Sequence, residues 1–111
     1  MKTIIAGGRY YYFTEADINR LNSIKDTISE VISGTATGAD TDGETWAKSH
    51  NIPIKRFRPD WNSFGRSAGY KRNVEMANYA EQCIIFPGGK GTDHMFNIAT
   101  KKGLKVIDWR K

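Results

Sequence analysis

Cys83-Ile84-Ile85-Phe86-Pro87-Gly88-Gly89-Lys90-Gly91-Thr92 passes from an apolar run, through a glycine-rich loop, to the start of a helix. The run Cys83 to Phe86 reads as a core strand. The helix begun by Thr92 turns Met95, Ile98 and Ala99 inward at helical spacing, and a last strand follows from Leu104 to Ile107. The same succession occurs twice upstream. Thr3-Ile4-Ile5-Ala6 leads into Gly7-Gly8-Arg9, and Val31-Ile32 with its flanks leads into Ser33-Gly34-Thr35-Ala36-Thr37-Gly38-Ala39-Asp40. Short apolar runs alternating with helical patterns mark βαβ units and a mostly parallel sheet.

The remaining elements fit that frame. Thr14 with Asp17 three residues on resembles a helix-capping pair, and Ile18, Leu21, Ile24 and Ile28 then recur at helical spacing. Asp40 is placed to cap a second helix that runs to about His50 with Trp46 and Ala47 on its buried side. Ile52 to Phe57 alternates like an edge strand, where Pro53 is tolerated. Arg58 to Gly69 reads as a long loop, and a helix from about Ala68 to Tyr79 would bury Tyr70, Val74 and Ala77. Five strands with right-handed crossovers predict a three-layer Rossmann-like α/β fold, strand order 3-2-1-4-5, as a single domain over residues 1–111. Direction reverses between strands one and four, which opens a crevice at the strands' carboxyl ends.

Composition narrows the function classes. A net charge of +5 favours an anionic partner, although a solubilising surface accounts for it equally well. Cys83 stands alone inside an apolar run, so a buried thiol in a reducing compartment is expected. Met1 to Gly8 is too short an apolar run for a signal peptide, and no stretch is long enough to cross a bilayer, so the expected location is the cytoplasm, with no membrane partner. His50 and His94 lack partners at metal-ligand spacing, and neither a metal nor a cofactor is expected. Gly7-Gly8-Arg9 is not G-x-G-x-x-G, and strand two ends in Ser33-Gly34 where a dinucleotide fold would place its ribose carboxylate. Lys90 precedes Gly91 rather than a hydroxyl residue, which disfavours a P-loop, and no G-x-S-x-G elbow occurs.

The three loops suit phosphate. Glycine removes the Cβ that would keep a ligand from the backbone amides, and each helix start adds unpaired N–H groups and the positive end of a dipole. Strands one, two and four are neighbours in the expected topology, so Gly7, Gly8, Arg9, Ser33, Gly34, Gly38, Asp40, Gly88, Gly89, Gly91 and Thr92 can line one pocket. Arg72 and Asn73, after the long loop, are further candidates for gripping phosphate or a base edge. Asp60, Glu75 and Glu44 are the carboxylates available as a general base. Trp61, Tyr70 and Tyr10 to Phe13 could stack on a base, but core packing is the expected role for most of them.

Several motifs also resemble a known family. Pro87-Gly88-Gly89-Lys90-Gly91-Thr92 is similar to the P-G-G-x-G-T signature of the SLOG superfamily, which includes the cytokinin-activating phosphoribohydrolases. Ser33 to Asp40 resembles the S-G-x-A-x-G-x-D segment shared with DNA-processing protein A. The opening Ile4-Ile5-Ala6-Gly7-Gly8-Arg9, then Asp60-Trp61, then Ala68-Gly69-Tyr70-Lys71-Arg72-Asn73-Val74-Glu75-Met76-Ala77 resemble the small YspA-like SLOG group of bacteria and phages. The resemblance implies a Rossmann-like domain that binds nucleotides or their derivatives, some relatives cleaving an N-glycosidic bond. In the phosphoribohydrolases the signature continues G-T-x-x-E, and Met95 stands here at the glutamate position. The expected function is therefore sensing or sequestering of a nucleotide-derived, phosphate-bearing small molecule. An N-glycosidic-bond hydrolase is the alternative, and a nucleic-acid-binding module ranks third. Relatives that pair through their helices make a homo-oligomer the expected assembly.

Overall fold

A computed structural model describes residues 1–110. Five parallel strands form one sheet in the order β3-β2-β1-β4-β5. They are β1 (Lys2–Ala6), β2 (Glu30–Ser33), β3 (Ile54–Arg56), β4 (Gln82–Ile85) and β5 (Lys105–Asp108). The helices are α1 (Glu15–Ser23), α2 (Ala39–Ser49), α3 (Trp61–Phe64), α4 (Ala68–Tyr79) and α5 (Lys90–Lys101). This is the three-layer Rossmann-like arrangement that the alternation of strands and helices predicts.

Alternation along the strands builds a core on each face of the sheet. Ile5, Val31 and Ile84 point to one side, where they meet Leu21 of α1 and Trp46 and Ala47 of α2. Ile4, Ile32, Cys83 and Ile85 point to the other, against Met76 of α4 and Met95 and Ala99 of α5. The central strands β1, β2 and β4 thus carry apolar residues to both faces, as a buried parallel sheet requires. Register carries this through: Ile4 aligns with Ile32 on one side and Cys83 on the other. Burial pushes the Cys83 thiol up to about 12, which makes it inert at neutral pH.

Local chemistry starts the first helix. The Thr14 hydroxyl accepts from the Asp17 amide at 3.1 Å while Asp17 accepts from the Thr14 amide at 3.0 Å, a complete capping box. Asp17, itself buried, also takes the Tyr11 hydroxyl at 2.5 Å and Arg20 at 2.5 Å.

Five expectations are corrected. The first helix stops at Ser23; Ile24 and Ile28 still pack on the core, but from a 3-10 turn at Lys25–Thr27 and the chain beyond it. The cap of α2 is Gly38 rather than Asp40, because a φ of +73° turns the chain into the helix there. Helix α5 begins at Lys90 after Gly89, two residues before Thr92. Arg58 to Gly69 is not one long loop: the Asp60 carboxylate accepts from the Ser63 amide at 3.1 Å and so starts α3, and a 3-10 turn at Gly65–Ser67 follows. Tyr70 and Val74 are exposed, since α4 turns Ala68, Asn73, Met76 and Ala77 inward. Asn73 turns inward although polar, because its hydrogen bonds satisfy it there.

Phe86, fully buried, continues the line of β4 and holds Phe13 at 4.5 Å and Trp109 at 5.7 Å between ring centroids. Phe86→Ala should lower the free energy of unfolding by about 3–5 kcal/mol, measurable as a shifted urea midpoint at unchanged slope.

Candidate functional site

Topology places the ends of β1, β2 and β4 side by side, and their loops are joined by the main chain of Gly8. Its N–H donates to the Pro87 carbonyl at 2.8 Å, and its own carbonyl accepts from Tyr11 N at 3.1 Å and Ala39 N at 3.2 Å. One residue therefore touches all three loops. The approach is close enough to exclude side chains. A Cβ on Gly38 would overlap the carbonyl oxygens of Gly8 and Arg9, and one on Gly88 would overlap the Thr92 hydroxyl and come within 2.6 Å of Gly8 N.

A cleft of about 670 Å³ opens above this junction, within the usual range for small-molecule sites. Its walls include Gly7, Gly8 and Arg9 of the first loop, Gly34, Ala36 and Asp40 of the second, and Gly88, Gly89, Gly91 and Thr92 of the third. Arg72 and Asn73 of α4 complete the wall, and Met76 and Met95 lie at its apolar floor. Helix α5 has Gly89 at its cap, which offers no side-chain acceptor to its first amides, a helix start of the kind that suits an anion. Arg9, Arg66, Arg72 and Lys90 line the cleft against a single carboxylate, Asp40, among the described residues.

Arg72 is half-buried and fixed. Its Nη1 donates to the Gly34 carbonyl and its Nε to Asn73 Oδ1 at 3.0 Å. Asn73 in turn donates to the Gly91 carbonyl at 3.2 Å and faces His94 Nδ1 at 3.2 Å. The pair ties the second glycine loop to the third through α4. Burial lowers His94 below its ordinary value, consistent with a neutral ring that accepts from Asn73.

Other residues singled out in the sequence stand elsewhere. Ser33 lies behind the wall, where its hydroxyl donates to Glu44 at 2.6 Å, and Glu44 is also paired with Arg56 at 2.8 Å. Gly38 supports Arg9 from below. Asp60 caps α3 and Glu75 is exposed on α4; neither lines the cleft. Met95, at the position that is glutamate in the phosphoribohydrolase signature the loop resembles, is buried in the core, while Asp93, two residues earlier, pairs with Arg110 at 3.2 Å. Asp40, read from the sequence both as a cap and as a pocket residue, is the carboxylate that the fold brings to the cleft. Among the described residues no cluster of His, Cys, Asp and Glu could hold a metal ion, and no helix is long and apolar enough to cross a membrane.

Asp40 is 7% exposed and accepts from the Ala36 amide at 3.2 Å. Burial pushes its carboxyl up from 3.8 to about 6, against the opposing pull of that hydrogen bond and of Arg72. The folded protein therefore holds a proton that the unfolded chain releases. Its cost to stability is absent below pH 3.8, grows as pH rises, and is complete above about 6. Asp40→Asn, neutral at every pH, should match the wild type near pH 4 and exceed it by on the order of 2–3 kcal/mol at pH 7.5. Denaturation curves across that range check it; parallel profiles would contradict the buried charge.

Comparison with known proteins agrees with this architecture. The model of the family described as "YspA, cpYpsA-related SLOG family" matches residues 1–64, a span that contains the first two glycine loops. The chain is 37% identical over 87 residues to the Gene 61 protein of Mycobacterium phage D29, covering 71% of this chain and 70% of that protein. No solved structure matches. A family match over more than half of the chain and a relative aligned over most of its length, on the strand order expected of a Rossmann-like domain, lead to one conclusion: the chain belongs to the YspA, cpYpsA-related SLOG family.

Proposed function

We propose that the protein binds a nucleotide or a nucleotide-derived, phosphate-bearing ligand in the cleft, as a sensing or sequestering module. Family membership supports a nucleotide-related binding or processing role in general. The observation that carries the finer reading is the convergence of three strand-to-helix junctions on one cleft, with the open start of α5 among them. Donors there are main-chain amides, which accept any tetrahedral anion of the right size, and the excess of Arg and Lys draws anions in.

A second reading, hydrolysis of an N-glycosidic bond, is favoured by Asp40. A buried carboxyl in a cleft, held near 6 by burial, can exchange a proton at neutral pH. The two readings differ in what leaves the site. Incubation with AMP, ADP-ribose, NAD and cyclic nucleotides, followed by mass analysis, should return intact ligand for a binding module. Free base, lost again in Asp40→Asn, would establish the hydrolase instead.

Thermal shift measures binding directly, since a ligand at a hundredfold excess over its Kd adds about 2.7 kcal/mol of stability. A Cβ on Gly89 meets no protein atom within 4 Å, whereas one on Gly88 overlaps Thr92. Gly89→Val should therefore keep the stability of the free protein and lose at least about tenfold in affinity, some 1.4 kcal/mol. Gly88→Ala should lose both. Stabilisation of Gly89→Val equal to that of the wild type, or no stabilisation of the wild type by any of the nucleotides, would overturn the proposal.

A further inference from the structure

Aromatic residues near the cleft separate into two sets. Tyr11 and Phe13 turn inward, with ring centroids 6.0 and 4.5 Å from Phe86. Trp61, Tyr70 and Tyr10 turn outward and are 53%, 43% and 86% exposed, yet all three line the same concavity. Single exposed rings are commonplace. Three exposed rings gather here around one cleft lined by cations, on segments as distant as the β1 loop and α4.

Trp61 and Tyr70 are also held in place. Trp61 opens α3, whose start is fixed by Asp60, and α3 is tied to α4 by Lys71 Nζ lying 4.9 Å from the Phe64 ring centroid. A Cβ on Gly69 would stand 3.6 Å from Trp61 Cη2 and 3.7 Å from Arg72 Nη2. The indole edge and the guanidinium thus flank the same bare Cα. Tyr70 meets His94 edge-on at 4.6 Å, and His94 is held by Asn73. Trp61 is about half exposed and lines the cleft, so part of its indole surface is open to it. Arg66 and Arg72, also in the wall, bring planar cations to the same end.

We propose that Trp61 and Tyr70 form a nucleobase subsite at the mouth of the cleft, where the base stacks on the Trp61 indole while the phosphate lies against the glycine loops and α5. This rests on the nucleotide reading above and specifies it: the ligand carries an intact aromatic base, and a base-free sugar phosphate occupies only the inner half. Stacking on indole accepts any π-face, and purines, with the larger area, gain most. The base then contributes affinity, and the loops contribute anchoring.

Titration calorimetry with ribose 5-phosphate and the four ribonucleoside 5′-monophosphates separates the two halves. The wild type should bind at least one purine nucleotide roughly 5- to 100-fold tighter than ribose 5-phosphate, as stacking energies imply. Trp61→Ala should bring the nucleotides down to the ribose 5-phosphate level and leave ribose 5-phosphate unchanged. Trp61→Phe should restore most of the difference, and nucleotide, but not ribose 5-phosphate, should quench the tryptophan emission of the wild type more than that of Trp61→Phe. Equal affinity for nucleotides and ribose 5-phosphate in the wild type would overturn the base subsite and leave the phosphate reading standing. So would equal weakening of both ligand types in Trp61→Ala. Binding of none of these compounds would overturn the base subsite, and failure of ADP-ribose, NAD and cyclic nucleotides to bind as well would overturn the nucleotide reading.

Discussion

The three hydrogen bonds at the main chain of Gly8 fix the geometry on which the site depends. Strand pairing alone brings β1, β2 and β4 alongside one another, but it does not set how their loops meet. Gly8 does so by giving its N–H to Pro87 and sharing its carbonyl between Tyr11 and Ala39. The last of these donors is the first amide of α2, so the helix starts where the first loop ends. Because a Cβ on Gly8 would lie 3.0 Å from Gly88 Cα, the first and third loops pack backbone on backbone. The start of α5 is thereby presented at the bottom of the cleft without a side-chain cap. The central strands below it carry apolar residues to both faces and bind the frame from both layers.

Charge in the cleft is arranged against this fixed backbone. Arg72 is immobilised by Gly34 and Asn73, whereas Arg9 is exposed and held mainly through its carbonyl, which accepts from the Thr37 hydroxyl at 3.1 Å. One cation is pre-oriented and the other free to adapt. Asp40 sits behind them, and a second anion near it would favour its protonated form. On the proposed reading, occupancy by an anion would therefore be linked to protonation of Asp40. The Ser33–Glu44–Arg56 chain lies one layer further back and stiffens the end of β2 without reaching the ligand space.

Much of the fold was legible because the signals were local and repeated. Ile4-Ile5, Val31-Ile32 and Cys83 to Phe86 each precede glycine and then a helix, and this repetition fixes both the parallel sheet and the edge where its loops gather. Thr14 and Asp17 formed the capping box that their spacing announced. What was missed required knowledge of partners. Apolar character alone points Tyr70 and Val74 inward, whereas the buried face includes Asn73, whose bonds to Gly91 and Arg72 make its burial possible. Asp40 had the right residue type for a cap, but a glycine at positive φ already occupied that place. Helix α3 is four residues long, too short for any periodic signal, and the one clue was Asp60 ahead of Ser63. Glu44 and Asp60 were chemically suitable acids whose structural partners the sequence does not display.

Met95 gives the architecture a wider meaning. On the nucleotide reading the groups that would meet an anion are main-chain amides backed by arginines, while the position that carries glutamate in the phosphoribohydrolase signature holds a thioether packed among Ile4, Ile85 and Ala99. Holding and transforming are thus encoded by different parts of the chain. Exchange of one side chain on α5 can remove a reactive group without disturbing the cradle that receives the ligand. On the nucleotide reading, a domain of this kind could change what it does to a ligand by exchange of single side chains around the cleft, with the backbone cradle left as it is.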